Sequence, residues 1–135
     1  MRFFAMMIIP ALAFIFVLGN NTTAQTKVWS VPAADKAVKA PVKMTDQPLI
    51  DNGKELYAKH CKSCHGTKGL GDGPKAAAMK SKIISFKDPA FTGQTDGEIY
   101  YKTNKGRDEM PGYEKKIPEA NDRWALVAYM RFLGK

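Results

Sequence analysis

Cysteine and histidine are scarce in this chain, with two of each among 135 residues. A structural zinc site draws four Cys/His ligands, so one such site would need every one the chain has. Long apolar runs are missing too. The longest uncharged apolar stretch, Phe3 to Leu18, is sixteen residues broken by Pro10, short of the ~20 that span a bilayer. Acidic side chains are the minority, 13 against 21 Lys and Arg for a net charge of +8. Apart from Lys115-Lys116 the lysines are scattered singly, and they match no nucleic-acid motif, which excludes nucleic acid as a partner. Strand-like alternation is slight, so a thioredoxin-type dithiol lacks its βαβ setting. No internal repeat is present.

Against these absences stands Cys61-Lys62-Ser63-Cys64-His65. C-x-x-C-H is the attachment pattern of a c-type haem. The two thiols add to the haem vinyl groups as thioethers, and a two-residue spacer on a helical turn sets the sulfurs at about the vinyl separation. His65 then offers an imidazole nitrogen to the iron from the proximal side. The motif occurs once, so one covalently attached haem c is expected, and neither cysteine is left for a disulfide.

The N-terminus agrees with this chemistry. Arg2, the apolar run and the small residues around Thr22-Thr23-Ala24 read as a secretory signal peptide over 1–24, cleaved before Gln25. Cleavage after Gly19 and an uncleaved membrane anchor are the alternatives. Export places the thiols outside the cytoplasmic membrane, where haem is attached in bacteria, so a periplasmic location is expected. Removing residues 1–24 takes only Arg2 from the charged set, leaving 20 basic against 13 acidic residues, a net +7. A basic protein exposing a haem edge is steered towards redox partners with acidic docking surfaces.

Residues 25–50 are rich in Lys, Ala, Val and Pro (Pro32, Pro41, Pro48) without clear periodicity, and read as an extended arm or linker that Trp29 and Val31 pin in part to the domain. The domain proper is expected over 51–135. Asp51 or Asn52 caps a helix running to Cys64, with Glu55 as capping partner. Gly66, Gly69, Gly71 and Gly73 make an irregular loop, and Pro74 opens a short turn over 75–80. Thr95-Asp96-Gly97-Glu98 is a capping box for a helix that stops at Gly106. A last helix has Pro118 in its first turn and ends at Gly134, with Leu126, Tyr129, Met130 and Leu133 on one face. Three main helices, short turns and no strand make the class all-α.

A haem held by one histidine has a sixth iron position, and its occupant separates electron carriers from catalytic or gas-binding haems. Of Met44, Met79, Met110 and Met130, only Met110 lies in a loop punctuated against helix, by Pro111 and Gly112. Met110 is therefore the expected distal ligand, with Met79 as the alternative. Met130 reads as core filler and Met44 belongs to the arm. His60 sits five residues from His65 and reads as a solvent-edge residue that does not reach the opposite face of the ring.

With these residues placed, the chain resembles class I cytochrome c, particularly small bacterial forms with a C-x-x-C-H-G…G-x-G-D-G-P loop. Residues 66–74 read Gly-Thr-Lys-Gly-Leu-Gly-Asp-Gly-Pro, and the likeness covers about Asn52 to Leu133. It implies a cytochrome c fold in which the first and last helices cross, with Gly53, Tyr57 and Tyr129 at the crossing. It also implies that the Pro74 carbonyl accepts a hydrogen bond from His65 and raises its basicity. The expected function is single-electron transfer between respiratory partners, with no catalytic residue and no small-molecule substrate. The alternatives are a haem subunit of a larger membrane respiratory complex or, further off, a peroxidase or gas sensor. A peroxidase needs an open distal site with acid–base groups, and no distal histidine is available.

Overall fold

The structure, a computed structural model, describes residues 28–135. The signal peptide expected over 1–24 lies outside the described residues. Six α-helices follow in order: α1 (Ala33–Ala37), α2 (Gln47–His60), α3 (Lys62–His65), α4 (Pro89–Thr92), α5 (Asp96–Lys105) and α6 (Ala120–Leu133), with a 3-10 turn at Ala76–Ala78. Among the described residues there is no strand, only an isolated bridge between Arg107 and Met110. The chain is all-α, with α2, α5 and α6 as its main helices.

Helix α2 starts five residues before the position expected from Asp51 as its cap. Asp46 is its N-cap and Pro48 lies in its first turn, where a fixed φ and a missing N–H cost nothing. Asn52, expected as a cap, instead donates through Nδ2 to Asp122 Oδ1 at 2.8 Å and ties α2 to α6. The two helices touch backbone to backbone at Gly53. A Cβ there would run into the Ala125 carbonyl and come within 2.9 Å of the Tyr129 Cβ. One turn later Tyr57 meets Tyr129 edge to face, centroids 5.3 Å apart.

Helix α6 is buried all round from Arg123 to Met130, because α2 covers one side and α5 the other. Trp124 stacks on Tyr100 at 4.0 Å. Each fully buried aliphatic such as Leu126 contributes about 1.5–3 kcal/mol. Pro118 lies just outside the helix, whose N-cap is Glu119. Its carbonyl and that of Ile117 both accept from Arg123 Nη1, at 2.6 and 2.5 Å, which satisfies a buried guanidinium.

Helix α5 forms as its sequence dictates. Thr95 Oγ1 accepts the Glu98 N–H at 3.1 Å, and the Glu98 carboxylate accepts the Thr95 N–H at 2.9 Å. Gly106 ends it at φ 67°. The described part of the arm is not extended. It carries α1, which packs on α5, and Val31 is buried. The Lys36 carbonyl accepts from Thr95 Oγ1 at 2.8 Å, and Lys36 Nζ lies 3.3 Å from Glu98 Oε1. Gly97 makes this approach possible, since a Cβ would meet the carbonyls of Asp35 and Val38. The non-local partner explains why no periodicity announces α1.

Candidate functional site

The chain bends at Cys61 (φ −118°, ψ −35°) and makes one more helical turn, α3. The Cys61 carbonyl accepts the N–H of Cys64 at 3.1 Å and of His65 at 2.9 Å. Residues at i, i+3 and i+4 share a helix face, so Cys61, Cys64 and His65 come together on one side of a single turn. A helix end leaves carbonyls without partners, and the glycine loop supplies them. Lys75 N–H donates to Ser63, Gly73 N–H to Cys64 and Gly71 N–H to His65, at 2.8, 3.1 and 2.9 Å. Gly73 comes so close that a Cβ would lie 2.5 Å from the Ser63 carbonyl oxygen. Gly66 turns the chain out of α3 at φ 82°, and its carbonyl accepts from the Tyr57 hydroxyl at 2.6 Å. The expected turn over 75–80 is shorter than anticipated, a 3-10 turn at Ala76–Ala78.

Phe86 is a site residue with no motif to mark it. Its ring stacks on His65 at 5.1 Å, and it packs on Phe91 at 4.5 Å and Tyr57 at 6.1 Å. Its N–H donates to the Gly69 carbonyl at 2.8 Å, so the glycine loop and the aromatic cluster fix each other. Only the loop's closure on residues 83–86, invisible in local pattern, identifies it.

Burial lowers the His65 pKa and keeps the imidazole neutral, the form that binds a metal. Its Nδ1 is buried without a hydrogen-bond partner. The contact to the Pro74 carbonyl implied by the family resemblance is therefore not made in this structure, although the loop containing Pro74 is bound to the turn on both sides of it. Burial, with Cys64 beside it, pushes the Cys61 thiol up to about 12, so Cys61 stays a neutral thiol rather than a reactive thiolate. Cys61 and Cys64 are both free.

Met110 is half-buried in a tight loop. Its N–H donates to the Arg107 carbonyl and its carbonyl accepts the Arg107 N–H, both at 2.9 Å. Asp108 takes the left-handed conformation, φ 52°. Tyr113 joins this loop to the attachment turn: its hydroxyl donates to the His60 carbonyl at 2.8 Å, and its ring meets that of His60 at 5.7 Å. Burial pushes the Tyr113 phenol up to about 12. Met79 precedes Lys80, whose N–H donates to Glu109 Oε2 at 2.7 Å, so the two candidate-ligand segments adjoin. Met130 is buried in the core, and Met44 packs against it.

The donor set fits a c-type haem: two unpaired thiols and a neutral imidazole on one turn, the imidazole with an orphaned buried nitrogen. A family profile described as cytochrome C oxidase, cbb3-type, subunit III matches residues 48–130, more than half of the chain. The chain belongs to this family of c-type cytochrome domains. Its cofactor is covalently bound haem c, and its helices form a cytochrome c fold.

Relatives of this cytochrome are varied. The cytochrome bc1 complex cytochrome c subunit of Corynebacterium efficiens is 27% identical over 101 residues, covering 70% of this chain. This chain spans only 30% of the length of that relative. Cytochrome c-553 of Desulfomicrobium norvegicum is 37% identical over 54 residues, 35% of this chain and 68% of its own length. Among solved structures, the Kuenenia stuttgartiensis reducing HAO-like protein complex Kustc0457/Kustc0458 aligns with a TM-score of 0.60 at 27% identity. That alignment covers 71% of this chain and 48% of the other. The KustC0563 c-type cytochrome aligns at 0.52 and 28% identity, covering 62% of this chain and 98% of its own. No helix among the described residues is long and apolar enough to cross a membrane.

Proposed function

We propose that this cytochrome is a periplasmic single-electron carrier of the class I type, with haem tethered by Cys61 and Cys64 and iron held between His65 and Met110. The observation that carries the reading is the α3 turn, where three carbonyls are tied down by the returning loop and His65 is braced by Phe86. When bound, the haem would supply an iron able to alternate between ferric and ferrous states, with His65 and Met110 as the residues that would hold it. The chain's own residues do the rest. The bonds to Ser63, Cys64 and His65 keep the imidazole from moving as charge changes, Phe86 and Tyr57 exclude water from its flank, and the neutral imidazole needs no proton exchange. A fixed ligand frame keeps reorganisation small, which suits a carrier rather than an enzyme.

The basic surface, with a net charge of +8 for the whole sequence, favours brief docking on acidic partners. A second reading is a haem subunit of a larger respiratory complex. The corynebacterial relative's name as a bc1 complex subunit supports it. Purification of the native protein separates the two: a carrier elutes alone, and a subunit elutes with its complex.

The ligand assignment is tested by the far-red methionine-to-iron charge-transfer band of the oxidised protein. The wild type is expected to show it, and Met110→Ala to lose it while Met79→Ala retains it. A band that persists in Met110→Ala sinks the assignment.

A further inference from the structure

The arm reaches the Met110 loop through one side chain. The Trp29 ring carries two cations, with Lys102 Nζ 5.7 Å and Arg107 Cζ 4.7 Å from its centroid. Lys102 belongs to the last turn of α5. Arg107 follows the C-cap Gly106 and opens the loop. Arg107 is also the residue whose backbone exchanges two hydrogen bonds with Met110. Trp29 and Met110 therefore hold the same residue from opposite ends, one by its guanidinium and the other by its peptide groups.

The other side-chain contacts of the loop lie at exposed positions, among them an ion pair between Arg107 Nε and Asp108 Oδ2 at 3.2 Å. Arg107, Asp108, Glu109 and Pro111 are exposed. Asp108 is held in a backbone conformation that L-residues avoid, and the Glu109 carboxylate makes a single exposed bond to Lys80. Trp29, by contrast, is carried on a fixed base. Val31 is buried two residues on, and α1 is bonded to the first turn of α5 through Lys36, Thr95 and Glu98. A cation–π contact at an exposed site shifts an equilibrium by roughly two- to fivefold. That is enough to matter for a neutral thioether on a lightly restrained loop.

We propose that Trp29 is a positioning residue for Met110. By holding the Arg107 guanidinium it keeps the loop in the conformation that presents the thioether, so the arm tunes how often the sixth iron position opens. The inference rests on the reading of Met110 as the ligand.

The test uses the full-length haem-loaded ferric protein and follows cyanide uptake, which requires Met110 to leave the iron. Trp29→Ala is expected to speed uptake about two- to fivefold with the charge-transfer band still visible, and Trp29→Phe to speed it less. Arg107→Gln removes the other half of the contact together with the ion pair to Asp108 and is expected to speed uptake at least as much as Trp29→Ala, with the double variant adding little more than Arg107→Gln alone. Unchanged uptake in Trp29→Ala, or fully additive effects in the double variant, overturns the positioning role whatever happens to the melting temperature. If Met110→Ala keeps the charge-transfer band, the ligand reading fails, and the positioning role fails with it. If that band is lost and uptake in Trp29→Ala is unchanged, the positioning role alone has failed.

Discussion

Around His65, three consecutive carbonyls accept backbone N–H groups from the glycine loop, and Phe86, Phe91 and Tyr57 pack behind the ring. Around Met110, the restraints include one pair of backbone bonds to Arg107, a carboxylate on the Lys80 N–H, an Arg107–Asp108 ion pair and a guanidinium over Trp29, mostly at exposed positions. The first set is joined to the core that α2 and α6 share and is expected to break only with the domain. The second is expected to open locally. Proteins open in units of unequal stability, and here the boundary between two such units runs between the two candidate ligands. If both are ligands, as proposed, His65 is expected to be the firmly held one and Met110 the one that yields first.

The contrast is broken most directly at Phe86. Phe86→Ala is expected to destabilise the whole domain by about 3–5 kcal/mol, read as a lower denaturant midpoint by circular dichroism. A loss under about 1 kcal/mol means that the His65 side is not part of the global unit. Tyr113→Phe removes the hydroxyl bond that joins the two regions and leaves the His60 carbonyl without it. It is expected to cost about 1 kcal/mol, with cyanide uptake rising alongside. Glu109→Ala acts on the Met110 loop alone. It is expected to leave the global midpoint within about 0.5 kcal/mol yet to quicken uptake, and a large fall in the midpoint would join the loop to the core.

The smallest effect concerns pH. The Thr95 N–H, and after it Lys36, hold Glu98 below the ordinary carboxylate range. The unfolded chain thus takes up this proton more readily than the folded one. The stabilisation of α5 under the arm is complete above the unfolded carboxylate value of about 4.3, and is lost as pH falls through the lower folded value. Midpoints measured over that window are expected to fall by a few tenths of a kcal/mol more in the wild type than in Glu98→Gln.

Local chemistry was readable ahead of the structure, and distant pairing was not. Thr95 and Glu98 cap each other across three residues, and Gly53, Tyr57 and Tyr129 meet at the crossing that the family likeness implied. Pro48 was legible but ambiguous, because proline punctuates linkers and also opens helices. Asp46, one residue before the first turn of α2, resolves it only in three dimensions. The seating of α1 depends on Gly97, sixty residues along, and Phe86 belongs to the site because Gly69 holds its peptide group. Neither relation leaves a periodic trace. Cys61, Cys64 and His65 stand where C-x-x-C-H puts them, on one turn, while the Pro74 bond implied by resemblance is absent and leaves Nδ1 of His65 bare.

The meeting of α2 and α6 at Gly53 and Ala125 has a consequence for the order in which the chain is made. Gly53 packs against Ala125 and Tyr129, and Tyr57 against Tyr129 as well as Phe86, so this side of α2 is fully covered only when residues 120–133 exist. A ribosome delivers the first half of this core some seventy residues before the second, and closing a loop of that length adds only slowly to the entropy already lost. The C-x-x-C-H turn therefore precedes, in chain order, the helix that covers the one leading into it. Topology thus makes the C-terminal helix the last piece of the core to which the cysteines' own helix belongs.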